Sequence, residues 1–302
     1  MERITITEHV DQMCKGQDHT RSGQTTIDGQ QVKYAVVFDG HGSDSVINFI
    51  RRISQQKMDE IMAMPCPATT MFHYINDATP KLCIRGESSG STMCLTRIFP
   101  TYVEIINVGD SQGYVIKNGE LAFVSEPHCY DNAKERTRLD AMGVRTEASS
   151  NFKIVDDRHL YKTRTRYIFH IPYEDNRLAL SQALGHAGKT GIAPDRTVIP
   201  YEASDEVVVI LGSDGHFDMV KRHMDRDEFL ESDLLAVKDM SGEAILNQSV
   251  DRWLQEWEMH YDLERPEIFQ VYKYSRGKME TDDVAIVKVT IRPEEKVFGV
   301  SI

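Results

Sequence analysis

The sequence predicts an α+β fold, and three observations carry that reading. Short runs rich in Val, Ile and Tyr recur along the 302 residues, as in "YAVVF" (34–38), "YVEIINV" (102–108), "VVVILG" (207–212) and "VAIVKVTI" (284–291). Asn118-Gly119 separates two further runs in "GYVIKNGELAFV", a hairpin signal that makes part of the sheet antiparallel. Longer amphipathic patterns lie between the strands without alternating with them one for one, which favours α+β layers over a doubly wound parallel sheet.

The helical segments follow in order. Residues 44–64, "DSVINFIRRISQQKMDEIMAM", carry apolar positions at helical spacing after a Ser/Asp start. "YDNAKERTRLDAMGV" reads as a helix closing near Gly143, and "SGEAILNQSVDRWLQEWEMHYDL" as one opened by Ser241. In that last segment Trp253 and Trp257 stand at i and i+4, on one face if the helix runs through both. With no repeat, low-complexity tract or Pro/Gly/Ser linker, the expectation is one domain over 1–302.

Composition limits the function. The chain is 40% hydrophobic and 27% charged, with a net charge of -12. No Lys/Arg-dense stretch offers a nucleic-acid face, and the acidic balance argues against an anionic membrane surface. The N-terminal "MERITITEHVDQM" has no apolar core of a secretory signal, and no apolar run reaches the ~18 residues of a membrane span. Cys14, Cys66, Cys83, Cys94 and Cys129 are scattered and odd in number, with no C-x-x-C pair. They read as small, mostly buried hydrophobes in a reducing compartment, hence a cytoplasmic location, with the nucleus as the secondary alternative.

Four aspartates share a setting. Asp18 in "KGQDHT", Asp39 in "VVFDGHG", Asp214 in "VVVILGSDGHFD" and Asp282 in "METDDVAIVKV" read as carboxylates at the edge of an apolar strand, next to glycine or another acid, although no strong strand precedes Asp18. Ionised carboxylates repel and resist desolvation, so a cluster of them calls for cations. All-oxygen donors suit hard divalent ions such as Mg²⁺ or Mn²⁺. A pair of such ions is a general device for phosphate ester hydrolysis. Singly, each Asp-Gly is an ordinary turn; the force lies in two D-G-H sequences that each close a strand.

The order of these segments resembles the metal-dependent Ser/Thr protein phosphatases (PPM, type 2C). "GQDHT", "VFDGHG", "SSGSTMCLTRI", "INVGDSQGYVIKNGE", "RTRLDAMG", "LALSQALGH", "ILGSDGHFDMV" and "TDDVAIVKV" match that family's landmarks in sequence. The resemblance implies a four-layer α-β-β-α sandwich of two antiparallel sheets flanked by helices. It implies a Mg²⁺- or Mn²⁺-dependent protein serine/threonine phosphatase with two ions, acting on phosphoserine and phosphothreonine through a metal-activated water. By the same likeness Asp39 bridges both ions, the Gly40 carbonyl and Asp18 serve the second, and Asp214 and Asp282 serve the first. His41 takes the place of the general acid for the leaving alkoxide, and the partner is a phosphoprotein met by a monomer.

The departures are specific. Gln17 stands for a usual Glu, and the phosphate-gripping arginine is missing near Met13, leaving Lys15 or Arg21 as replacements. Gln112 and Gln182 replace arginines and His186 an aspartate, all three expected to be structural. Pro127 replaces an aspartate tied to a third ion, so a third ion is expected only if Glu126 substitutes. His216 and Asp110 read as structural, Asp218 as the cap of a helix starting near Met219, and Asp283 as a residue that either binds metal or supports the fold. A cysteine phosphatase is excluded, because no Cys is followed by Arg at the C-x5-R spacing. The rival readings are a pseudophosphatase acting as a binding protein, favoured by the lost arginines, and a phosphoesterase for small molecules.

Overall fold

The computed structural model describes residues 3–82, 89–169, 177–262, 265, 267–278 and 280–294, with side chains 79–82 left aside; Cys83 falls outside these residues. One sheet runs in the order β1 (Ile4–Asp11), β16 (Val284–Ile291), β13 (Val207–Gly212), β7 (Gln112–Lys117) and β8 (Glu120–Val124). The second runs β11 (Leu184–Gly185), β4 (Ser89–Ser91), β3 (Gln30–Gly42), β5 (Met93–Ile98), β6 (Tyr102–Val108) and β12 (Asp195–Pro200), with β2 (Asp18–Ile27) paired to β3. Every pairing in these two sheets is antiparallel.

Period-two alternation explains the layers. In β3, Ala35 and Val37 enter the apolar layer between the sheets, where Val207, Val209 and Leu211 of β13 and Ala285, Val287 and Val289 of β16 meet them. Tyr34, Val36 and Phe38 face the other way, onto α1 (Ser45–Arg52), α2 (Gln55–Ala63) and α3 (Pro67–Leu82). Val208, Ile210, Val284 and Ile286 point outward to α5 (Asp214–Phe217), α6 (Glu231–Ala236) and α7 (Gly242–Leu254). Each such Val or Ile side chain contributes about 1.5–3 kcal/mol by leaving water. The α-β-β-α sandwich is therefore present, and both central strands are apolar on both faces because each is covered on both.

Some elements differ from the sequence reading. The segment 44–64 is two helices, because Ile53 and Ser54 are extended and the Ser54 hydroxyl caps the Lys57 N–H of α2. The helix of 241–263 stops at Leu254, and Glu256–His260 is a strand, β14, so Trp253 and Trp257 do not share a helix face. Their indole N–H groups donate to different carbonyls, Gly215 at 2.7 Å and Arg252 at 2.8 Å. β14 belongs to a third sheet, β15 (Phe269–Lys273), β14, β10 (His159–Phe169) and β9 (Arg145–Ile154), in which β10 and β14 are parallel. α4 (Ala133–Met142) ends on Gly143 in the left-handed region, and Asn118-Gly119 makes the β7–β8 turn with both φ positive, as the sequence implies. Of the four described cysteines, all free, only Cys94 is buried, so the expectation of mostly buried thiols does not hold. Among the described residues no helix is long and apolar enough to cross a membrane.

Candidate active site

The carboxylates converge at one end of the two main sheets. Asp18 and Asp39 are register partners across β2 and β3, both buried. Asp214 opens the one-turn α5 directly after β13, and Asp282 lies two residues before β16, the strand that pairs with β13. Strand pairing thus fixes all four, and the Asp39 backbone is held further by the Thr92 hydroxyl and amide. A Cβ at Gly40 would lie 2.9 Å from Ile47 Cβ and 3.0 Å from the Gln17 carbonyl, so only glycine lets this strand end lie so close to the Gln17 loop.

The electrostatics match that crowding. Burial pushes Asp39 well above the usual carboxylate range, and the negative charges of Asp214, Asp18 and Asp282 push it further. Burial likewise raises Asp18, opposed by a Ser213 hydrogen bond and reinforced by Asp214. Asp282 is driven up to about 7 by burial and Asp214, against the pull of Lys15. Among the described residues, Asp18 Oδ2 and Asp214 Oδ1 are buried with no hydrogen-bond partner. Unsatisfied oxygens on clustered acids are a strong cost for a protein alone, and an all-oxygen donor set of this kind fits hard divalent cations.

Lys15 joins the cluster and Arg21 does not. Lys15 Nζ lies 2.8 Å from both oxygens of Asp282. Burial alone would lower this ammonium, but Asp282, Asp214 and Asp39 outweigh it and hold it well above its usual range. Arg21 is three residues along β2 from Asp18, hence on the opposite face, and donates to the Ile53 carbonyl at 2.6 Å. The expectation that it serves phosphate is corrected on that ground.

The Lys15 loop is shaped by Asp283. Its Oδ1 accepts from the Cys14 and Lys15 amides at 2.8 and 3.1 Å, and its Oδ2 from the Gln17 amide at 2.7 Å. This buried carboxylate is therefore occupied by backbone donors, which is the structural role of the two left open for it. Gln17 donates to the Gly42 carbonyl and to Asp44, bracing the turn from β3 into α1; a glutamate there has no such donor. Gln112 donates to the Ser125 carbonyl, and Gln182 bridges Glu135 and Ala193, so both replacements of arginine carry structural bonds.

Two further acids, read from the sequence as structural, stand beside the cluster. Asp110 and Asp218 line one cleft of about 280 Å³ with Asp214, walled by Asn151 of β9 and Arg164 of β10. Burial raises both acids, Asp218 to about 7, with Asp214 the next cause in each case. No helix begins at Met219: Asp218 ends α5 rather than capping a new helix, so the capping expectation is corrected. The signal available was the acid four residues after Asp214, one helical turn on. Glu126 is exposed and lines other concavities beside Lys134 and Asp195, away from Asp214 and Asp218.

His41 follows Gly40 and is half-buried, with Nε2 2.8 Å from His186 Nε2 and the rings stacked at 4.9 Å. Burial lowers His41 well below its usual value, and His186 and Lys15 lower it further. His216, by contrast, donates to or accepts from Ser249 at 2.8 Å inside the protein. The imidazole pair leans on Gly90, where a Cβ would lie 2.3 Å from His186 Nε2 and 2.6 Å from His41 Nε2. Gly90→Ala is therefore expected to separate the rings and to cost about 1–3 kcal/mol in urea unfolding, as overpacking does; unchanged stability would refute the contact.

A two-sheet sandwich with helices outside and carboxylates gathered at the ends of its strands defines the class of fold. The Protein phosphatase 2C family profile matches residues 9–224, and the chain belongs to that family. A probable protein phosphatase 2C 54 of rice is 24% identical over 205 residues, 65% of this chain and 52% of the relative. Protein phosphatase 2C 77 of Arabidopsis thaliana is 25% identical over 70% of this chain and 49% of its own length. The chain thus spans about half the length of these curated relatives. Among solved structures, a Toxoplasma gondii serine-threonine phosphatase 2C superposes with a TM-score of 0.60 at 14% identity over 96% of this chain and 95% of its own. A C. elegans sex determining protein does so at 0.60 and 17%, covering 97% and 66%. At these identities the likeness establishes the fold alone.

Proposed function

We propose that this chain is a Mg²⁺- or Mn²⁺-dependent protein serine/threonine phosphatase acting on phosphoserine and phosphothreonine in proteins. The observation that supports it most is the convergence of Asp18, Asp39, Asp214 and Asp282, with Asp18 Oδ2 and Asp214 Oδ1 buried and without a hydrogen-bond partner among the described residues. Asp39 and Asp18, with the Gly40 carbonyl, would hold one ion, and Asp39, Asp214 and Asp282 the other; Asp110 and Asp218 extend the acidic surface beside them. Such ions supply an activated water and neutralise charge on phosphoryl oxygens.

The remaining chemistry belongs to the chain. β2, β3, β13 and β16 hold the carboxylates on rigid supports, so little reorganisation accompanies catalysis. His41 stands where the leaving serine or threonine oxygen would take a proton, and His186 fixes its ring by the shared hydrogen bond; because burial lowers its pKa, it would donate only when the phosphoryl charge beside it favours the protonated form. Lys15 is the positive group on the phosphate side: released from Asp282, its ammonium meets a phosphoryl oxygen as a point charge rather than a bidentate fork. The four described cysteines are free, which supports a reducing compartment such as the cytoplasm; a monomer of one domain is part of the same proposal.

One observation favours the pseudophosphatase instead. Lys15 sits on both oxygens of Asp282 and partly neutralises the cluster from within. The deciding measurement is Mn²⁺-dependent phosphate release from a phosphothreonine peptide, with Asp39→Ala and Asp214→Ala as controls. Release well above both controls is expected. No excess under any divalent ion would leave the binding-protein reading, and turnover of small esters only would favour the third. Lys15→Ala is expected to raise KM for the peptide while tightening Mn²⁺ about tenfold, because a competing cation leaves Asp282.

A further inference from the structure

We propose a second metal site, of the Zn²⁺ class, formed by His159, Glu258 and His260 on the third sheet. It lies outside the acidic cluster and uses none of its residues. β10 and β14 are parallel there, with His159 paired to Glu258 and Tyr161 to His260. Residues two apart share a face of a strand, so Glu258 and His260 project on one side of β14, beside His159 of β10. Their ligand atoms lie within 4.8 Å of one another.

Three features make this more than a chance cluster. His260 is 4% exposed, yet neither of its ring nitrogens has a hydrogen-bond partner among the described residues. A buried imidazole with two orphaned nitrogens is costly unless something takes up a lone pair. His159 Nδ1 lies 2.7 Å from Asp156 Oδ2, which orients the ring and turns Nε2 towards Glu258. A carboxylate behind a ligating histidine is the usual outer partner of such a metal ligand. Finally, His159 Nε2 is 3.4 Å from Glu258 Oε2. Two donors about 2.0–2.1 Å from one tetrahedral ion are themselves about 3.4 Å apart, so this edge already has the required span.

The donor set selects the ion. Two imidazoles and one carboxylate suit Zn²⁺ or a similar transition ion and not Mg²⁺, which prefers oxygen alone. Arg158, largely exposed, takes the other oxygen of Glu258 and leaves Oε2 facing His159. Tyr161 stacks on the His260 ring at 4.5 Å, and Phe269 of β15 closes its other neighbourhood at 5.5 Å. The ion would tie β10 to β14. Since Thr163 and Arg164 of β10 wall the acidic cleft, it would stiffen one side of that cleft from outside.

The test is titration of Zn²⁺ alone into the metal-stripped full chain carrying Asp39→Asn and Asp214→Asn, which weakens the acidic cluster. Calorimetry should show one equivalent, and Co²⁺ in its place should give the intense visible absorption of a tetrahedral ion. His260→Ala and His159→Ala, each added to that background, are expected to weaken binding at least about 100-fold, and Asp156→Asn about 10-fold. His159 is half-exposed, so its variant reports even if the buried His260→Ala misfolds. Absence of a Zn²⁺ isotherm, or one unchanged by His159→Ala and Glu258→Gln, overturns the site.

Discussion

Asp39→Asn is expected to lower Mn²⁺-dependent phosphate release by at least about 10³-fold while raising the melting temperature of the protein in EDTA. The loss follows from the proposed function: Asp39 faces Asp18 across β2–β3 and lies near enough to Asp214 to feel its charge, and an amide there would give both proposed ions a neutral donor in place of a shared carboxylate. The gain follows from the same geometry. Without a cation, Asp39 is a buried acid among like charges, and an amide of equal size removes one of them. A structural residue would lower activity and stability together. Opposite signs identify a site residue strained for function, and a fall in both would count against Asp39 as a metal ligand.

The second large effect is a pH dependence that runs against the usual acid denaturation. Asp282 and Asp218 are raised from 3.8 to about 7, and Asp18, Asp39 and Asp110 are raised as well. An acid raised on folding keeps its proton in the native state where the unfolded chain has lost it. The native state then binds more protons, so stability falls as pH rises. The penalty is absent below about 4, where both states are protonated, and for Asp282 and Asp218 it is complete above about 7. A three-unit shift corresponds to roughly 4 kcal/mol for one isolated group, and Lys15, charged throughout, offsets part of it. Denaturant unfolding in EDTA is expected to lose about 2–4 kcal/mol between pH 5 and pH 8. Excess Mg²⁺ or Mn²⁺ should flatten or reverse that slope, since only the ionised carboxylates bind. A metal-free protein whose stability rises across this window would refute the cluster's charge balance.

Much of the fold was legible because local patterns and final environments agree. "YAVVF" is apolar on both faces, and β3 is covered on both, by β13 and β16 on one side and α1–α3 on the other. Asn118-Gly119 and Gly143 announce their turns through backbone conformations that few other residues accept. Asp39, Asp214 and Asp282 were visible as acids at strand ends, where burial without a cation makes little physical sense. Other readings failed where a local signal was outvoted. "SVDRWLQEWEMH" is amphipathic at helical spacing, yet Gln255 is extended and Glu256–His260 pairs with β10 and β15. Asp218 reads as a cap, but burial beside Asp214 makes it part of the acidic cleft.

By itself the sequence determined the α+β class, the hairpin, and the identity of the acids that close the central strands, because these depend on periodicity and on residue chemistry within a few positions. Only the tertiary structure decided which groups meet. Lys15 reaches Asp282 because Asp283 gathers the amides of residues 14, 15 and 17, and no local pattern links positions 267 residues apart. Arg21 is excluded by the pleat of β2, and His41 gains His186 across 145 residues of chain. His159, Glu258 and His260 come together only because β10 and β14 run parallel, a pairing set by long-range sheet packing rather than by either strand alone.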